Sequence, residues 1–148
     1  MHLIDILIVN ETEGNELCHL LQSKNQKQDD QQKIDSNVIE QAKKNLQILE
    51  QKFPQTDIVI TLGEFGLIAS FQNENNNSRE IIEVPIIPTK VVETTSAGDT
   101  FVGYFLSSIL KGNNHKDSLK IATKASSICV SRKGAMDSIP NISEISQP

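Results

Sequence analysis

This chain lacks the basic excess that nucleic acid or an anionic membrane attracts. Lys and Arg number 14 against 19 Asp and Glu, a net charge of −5, which argues against non-specific binding to either surface. A phosphorylated small molecule is not excluded, because local backbone donors can hold one. No apolar run approaches the ~20 residues of a membrane span, and no N-terminal signal peptide is visible. Cysteine is scarce as well: Cys18 and Cys129 have no metal-ligand spacing and sit among apolar neighbours. They read as buried free thiols in a reducing compartment, the cytoplasm being the plain choice. Tryptophan is absent and aromatics make up only 4%, yet 37% apolar and 22% charged residues over 148 positions suit one globular domain with a real core.

"LIDILIV" (Leu3 to Val9) is apolar at nearly every position, the pattern of a parallel strand covered on both faces. Thr12 can cap a helix running to about Gln22, with Leu17 and Leu20 or Leu21 on one face. Residues 23–36 are polar and Gln-rich and read as a surface insertion or loop. Ser36 is a fit N-cap for a helix whose stripe is Val38, Ala42, Leu46, Leu49 and Phe53, stopped by Pro54. "DIVITL" is a second buried strand, "GEFG" a turn and "LIASF" a third strand running back beside it. "NENNNS" is a loop tip, and Pro85 and Pro88 limit the pairing of the strand "EIIEVPII". A helix from about Gly98 to Leu110 buries Phe101, Phe105 and Ile109. Another, from about Lys116 to Val130, sets Leu119, Ala122, Ala125, Ser126 and Cys129 on one tightly spaced stripe. The order predicts an α/β layered fold.

"ETTSAGDTFVGYF" (Glu93 to Phe105) puts small residues and then a carboxylate at the start of an amphipathic run. Such a turn exposes backbone N–H groups that the helix cannot use, and with the helix dipole they make an anion site. Asp99 in that first turn is either a favourably placed helix-terminal acid or a base that takes a proton from a hydroxyl beside the anion hole. The second division of labour is what phosphoryl transfer to an alcohol requires. No Gly-Lys-Ser/Thr follows, so this is not a Walker A loop.

The same stretch resembles the second signature of the ribokinase-like, or pfkB, carbohydrate kinases, D-T-T/V-G-A-G-D-x-F. Three more stretches fall in that family's order: "NETE" (Asn10 to Glu13), "TLGEFG" (Thr61 to Gly66) and "RKGAMDSIP" (Arg132 to Pro140). Four motifs in register over nearly the whole chain make the likeness specific, closest to the ribokinase branch. It implies a mostly parallel central sheet flanked by helices, and transfer of the γ-phosphoryl of ATP to a sugar hydroxyl, D-ribose foremost, with Mg2+ and a monovalent cation, K+. Asp99 would be the general base, and the amides of Ser96, Ala97 and Gly98 the anion hole. Asn10 would touch nucleotide phosphates, Glu13 would organise Mg2+ through water, and Thr61, Gly63, Glu64, Phe65, Gly66 and Gly98 would border the nucleotide. Thr123 falls where the family lines the adenine pocket. Glu93, Thr95, Cys129, Arg132, Gly134 and Ser138 match the cation site. Each has a plainer reading beside it: a capped helix start for Asn10 and Glu13, a hairpin turn for Thr61 to Gly66, a helix surface for Thr123, solvated charges for Arg132 and Lys133.

The chain departs from the pattern at Glu93, one methylene longer than the usual Asp, and at Ser96 in place of the first glycine. If position 96 needs a positive φ, Ser is strained there by ~1 kcal/mol or more. Family members are close to twice as long, and residues 1–148 resemble only their C-terminal half, without the sugar-binding part. Two readings follow, a working kinase or part of one, and a truncated, inactive nucleotide-binding module. Either way the incomplete fold is expected to be marginal, leaving an apolar sheet edge open or pairing it with another chain, a homo-oligomer included.

Overall fold

The computed structural model describes residues 4–23, 37–73 and 78–145. The Gln-rich stretch therefore lies outside the described residues apart from Ser23, as does the tip of the "NENNNS" loop. The chain forms two compact units that divide between Glu83 and Val84.

The first unit is built on a four-stranded sheet in the order β1 (Ile6–Asn10), β2 (Asp57–Thr61), β3 (Leu67–Asn73), β4 (Ser78–Val84). β1 and β2 are parallel, with Ile6 opposite Asp57 and Asn10 opposite Thr61. β2 and β3 are antiparallel, with Thr61 opposite Leu67. The sheet of this α/β fold is thus mixed rather than mostly parallel: the turn after β2 is too short for the crossover that a parallel neighbour needs. Ile58, Val59 and Ile60 are all wholly buried, so β2 reads as a continuous apolar run for the reason expected of a central strand. α1 (Glu11–Ser23) and α2 (Val38–Lys52) close one core through Cys18, Ala42, Leu46 and Leu49 against Ile58, Ile60 and Ile68. The caps differ from the sequence expectation by one or two residues. α1 starts on Asn10 rather than Thr12, and α2 on Asn37, whose side chain accepts from the amides of Ile39 and Glu40, rather than Ser36. Asparagine is among the strongest N-caps, its side-chain oxygen accepting from the free N–H groups of the first turn; Ser36 itself lies outside the described residues.

The second unit pairs α3 (Ala97–Leu110) with α4 (His115–Val130), followed by a short α5 (Ile142–Ile145) that the sequence did not signal. Phe101 and Phe105 stack at 6.1 Å between ring centres. Leu119, Ala122, Ala125 and Cys129 are wholly buried on α4, and the small side chains of the last three suit close packing. Ile109 is only half-buried; Ser108 takes the inward place and receives the Ser118 hydroxyl at 2.9 Å. Gly112, at φ 84, ends α3 as a glycine C-cap does.

Candidate functional site

In the first unit the predicted nucleotide residues gather at the carboxyl ends of the two parallel strands. Asn10 and Thr61 are register partners there, where open α/β sheets hold their ligands. The Asn10 amide donates to the Glu13 carboxylate at 2.9 Å, and the Glu13 amide donates to Asn10 Oδ1 at 2.9 Å. This is a reciprocal capping box, so the plainer reading of the pair holds. It leaves Glu13 Oε1 with no hydrogen bond among the described residues. After β2 the chain makes a 3-10 turn, Gly63–Phe65, between Gly63 at φ 56 and Gly66 at φ 88. A Cβ at Gly63 would meet nothing within 4 Å. What requires glycine there is the backbone angle, not crowding. Glu64 is exposed, and Phe65 is exposed at 46%.

In the second unit, Ser96 is the N-cap of α3 in the left-handed region, φ 62 and ψ 7, the one non-glycine with positive φ among the described residues. The position does demand what glycine supplies. The Ala97 amide donates to the Thr94 carbonyl at 3.2 Å and the Thr100 amide to the Ser96 carbonyl at 2.9 Å. Ala97 therefore drops out of the expected trio of donors, because its N–H closes the turn. The amides of Ser96 and Gly98, and that of Asp99, donate to no acceptor among the described residues. Space around Gly98 is open. The Asp99 carboxylate, also in this first turn, is exposed and has no partner among the described residues. From α4, the Ser126 hydroxyl donates to the Ala97 carbonyl at 3.0 Å and fixes where α3 begins.

The six residues matched to the cation site come together in this unit. Glu93 accepts from the Thr95 hydroxyl at 2.7 Å and from the Gly134 amide at 2.9 Å. Both donors hold its carboxyl below the usual carboxylate range, Gly134 foremost. The Cys129 thiol lies 3.2 Å from the Ser138 hydroxyl and 3.7 Å from the Thr95 carbonyl. The Arg132 amide donates to the Cys129 carbonyl at 3.1 Å. The Arg132 guanidinium pairs with Glu144 on α5. The sequence reading missed that partner, since a four-residue helix carries no periodicity to find. It also missed the Arg79 cluster on β4, where the guanidinium donates to Ser70 Oγ at 2.7 Å and to the Thr56 carbonyl at 2.7 Å. Thr123 is buried, and its hydroxyl donates to the Leu119 carbonyl at 2.8 Å. Its proton is therefore not available to a ligand.

The family model described as the pfkB family carbohydrate kinase matches residues 1–142. The chain belongs to the pfkB family of carbohydrate kinases. Among similar members, the ribokinase of Dictyostelium discoideum is 38% identical over 96% of this chain and 43% of its own. The ribokinase of Schizosaccharomyces pombe is 44% identical over 60% of this chain and 26% of its own. Two solved members superpose well. The Cryptococcus neoformans ribokinase in complex with ADP gives a TM-score of 0.78 at 27% identity, covering 95% of this chain and 44% of that one. Arabidopsis thaliana ribokinase complexed with ribose and ATP gives 0.67 at 29%, covering 96% and 39%. This pfkB chain therefore spans less than half the length of the relatives it matches.

Proposed function

We infer that this chain forms the nucleotide-binding and catalytic-base part of an ATP-dependent sugar kinase acting on a pentose, D-ribose foremost. The observation that carries the reading is the first turn of α3, where free amides at Ser96, Gly98 and Asp99 accompany an exposed, unpartnered carboxylate. In the step, the acceptor hydroxyl gives its proton to Asp99 and its oxygen bonds to the γ-phosphorus. The bond from that phosphorus to the β,γ-bridging oxygen breaks, and ADP leaves. The free amides and the helix dipole meet the charge carried on the transferred group.

The first unit supplies Asn10 for the phosphates and the Thr61–Gly66 turn, including Gly63, Glu64 and Phe65, for the nucleoside. Thr123, in the second unit, can offer a nucleotide base only its hydroxyl oxygen as an acceptor, since the proton is committed to Leu119. Glu13 would hold Mg2+ through water with its uncommitted oxygen; the ion supplies charge neutralisation between phosphates. The carbonyls of Thr95, Cys129, Arg132 and Gly134, with the side chains of Glu93 and Ser138, suit a hard, singly charged cation such as K+. Support for nucleotide and ribose comes from the relatives solved with ADP and with ribose and ATP. Two buried free thiols favour the cytoplasm.

A second reading is an inactive nucleotide-binding module, to which the strained, non-glycine Ser96 at the head of the anion hole is the relevant observation. Ribose phosphorylation with Mg2+, with and without K+, separates the two. The kinase reading expects ribose-dependent ADP release that falls about 10²–10⁴-fold in Asp99→Asn. Release indifferent to both ribose and the substitution overturns it.

A further inference from the structure

We propose that Glu93 is a positioning residue, whose carboxylate ties the turn ahead of α3 to the loop after α4 and so holds the anion hole in shape before any ligand arrives. The proposal rests on the reading of the α3 turn given above. Its two carboxylate oxygens divide the work. One accepts the Thr95 hydroxyl at 2.7 Å, within the turn, and the other accepts the Gly134 amide at 2.9 Å, across 41 positions of sequence. Gly134 presents that amide because it sits at φ 96, which a side chain would resist. The main chain is fastened to the same place: the amides of Val92 and Glu93 both donate to the Val130 carbonyl, at 2.8 Å and 3.2 Å. The Cys129 thiol adds a contact to the Thr95 carbonyl.

Val92, Glu93 and Thr95 are thus each fastened to α4 or to the loop after it, and the next residue is the left-handed Ser96. A turn held in a conformation its own residue disfavours needs restraint from outside, and Glu93 is the charged part of that restraint. Hydrogen bonds to a charged group are the strong ones. The charge-neutral glutamine keeps the shape but loses that strength, whereas aspartate keeps the charge but shortens the reach to Gly134.

The test compares Glu93→Gln and Glu93→Asp with the wild-type chain by amide hydrogen exchange and by titration with a non-hydrolysable ATP analogue. Glu144→Gln, which frees Arg132 of the same loop from α5, is the control for general loosening. The expected result is exchange at the Gly134 amide faster by about tenfold in Glu93→Gln. Affinity for the analogue falls alongside, while Glu144→Gln leaves it near wild type. Glu93→Asp should also lose the protection of Gly134. Unchanged protection of the Gly134 amide in Glu93→Gln overturns the proposal. Loss of affinity for the analogue as large in Glu144→Gln overturns it too. Should the wild-type chain bind no analogue, the nucleotide reading fails, and the exchange measurement still decides the role of Glu93.

Discussion

Asn10 and Glu13 are bonded to each other twice, backbone to side chain in both directions, at 2.9 Å each. One carboxylate therefore has two duties, capping α1 and, on the proposed reading, holding Mg2+. Glu13→Gln separates them. Glutamine serves in a capping box, so the melting temperature should stay close to wild type while the Mg2+-dependent gain in ADP affinity disappears. Glu13→Ala should lose both, with about 1 kcal/mol of stability gone. Calorimetric titration of ADP with and without Mg2+ checks this; a glutamine variant that keeps the full Mg2+ effect would leave Glu13 a cap alone.

Ser96 stands at φ 62 without a side-chain cap bond to compensate. A left-handed L-residue costs roughly 1–2 kcal/mol, and glycine returns about half of that as unfolded-chain entropy. Ser96→Gly should then raise stability by about 0.5–1 kcal/mol, read from the midpoint of urea unfolding. Ser96→Val should lower it, since a β-branched side chain fits that region worst.

Acid should loosen the second unit. The carboxyl of Glu93 is held low by the Gly134 amide and then the Thr95 hydroxyl, that of Glu144 by Arg132 and then the Asn141 amide. A carboxyl whose folded value lies below its unfolded value stabilises fully above the latter, about pH 4.3. That stabilisation fades as pH falls through the folded values. Melting temperature should decline below that pH, and less steeply in a Glu93→Gln, Glu144→Gln double variant. Because both groups are open to solvent, salt should shrink the Arg132–Glu144 share.

β1 has a sheet neighbour on one side only among the described residues, and its Ile6, Leu7, Ile8 and Val9 are each half-buried. Ile4, just ahead of it, is 48% exposed. Beyond Asp5 the strand Ile6–Val9 carries no charge, and an apolar edge so lightly guarded invites pairing. The purified chain should melt at or below the low end of the mesophile range, about 45 °C, and associate as concentration rises. Ile4→Lys should shift sedimentation toward the monomer. Monomeric behaviour of the wild type at every concentration would contradict the open edge.

Elements with strong periodicity were legible without coordinates. The stripe Ala42, Leu46 and Leu49 is the buried face of α2, and β2 is buried on both sides as its unbroken apolar run implied. The left-handed demand at position 96 also followed from the glycine usual there. What could not be read lies in single hydrogen bonds. Whether Asn10 or Thr12 caps α1 turns on one side chain's reach. That the Ala97 amide is committed and those of Ser96 and Gly98 are not depends on how the Thr94–Ala97 turn closes. The Arg132–Glu144 pair joins a loop to a helix too short to leave a pattern.

The strands lie side by side in the order in which they occur along the chain, and only β1 reaches its neighbour through a long connection. Closing that connection must be settled entropically before its parallel pairing yields anything, whereas β2 and β3 meet through a short turn. Assembly should therefore begin at the β2–β3 hairpin with α2 laid against it, and β1, carrying Asn10, should join late. Substitutions in β1 would accordingly speed unfolding more than they slow folding, so the strand that carries Asn10 is the first part of this sheet to come loose.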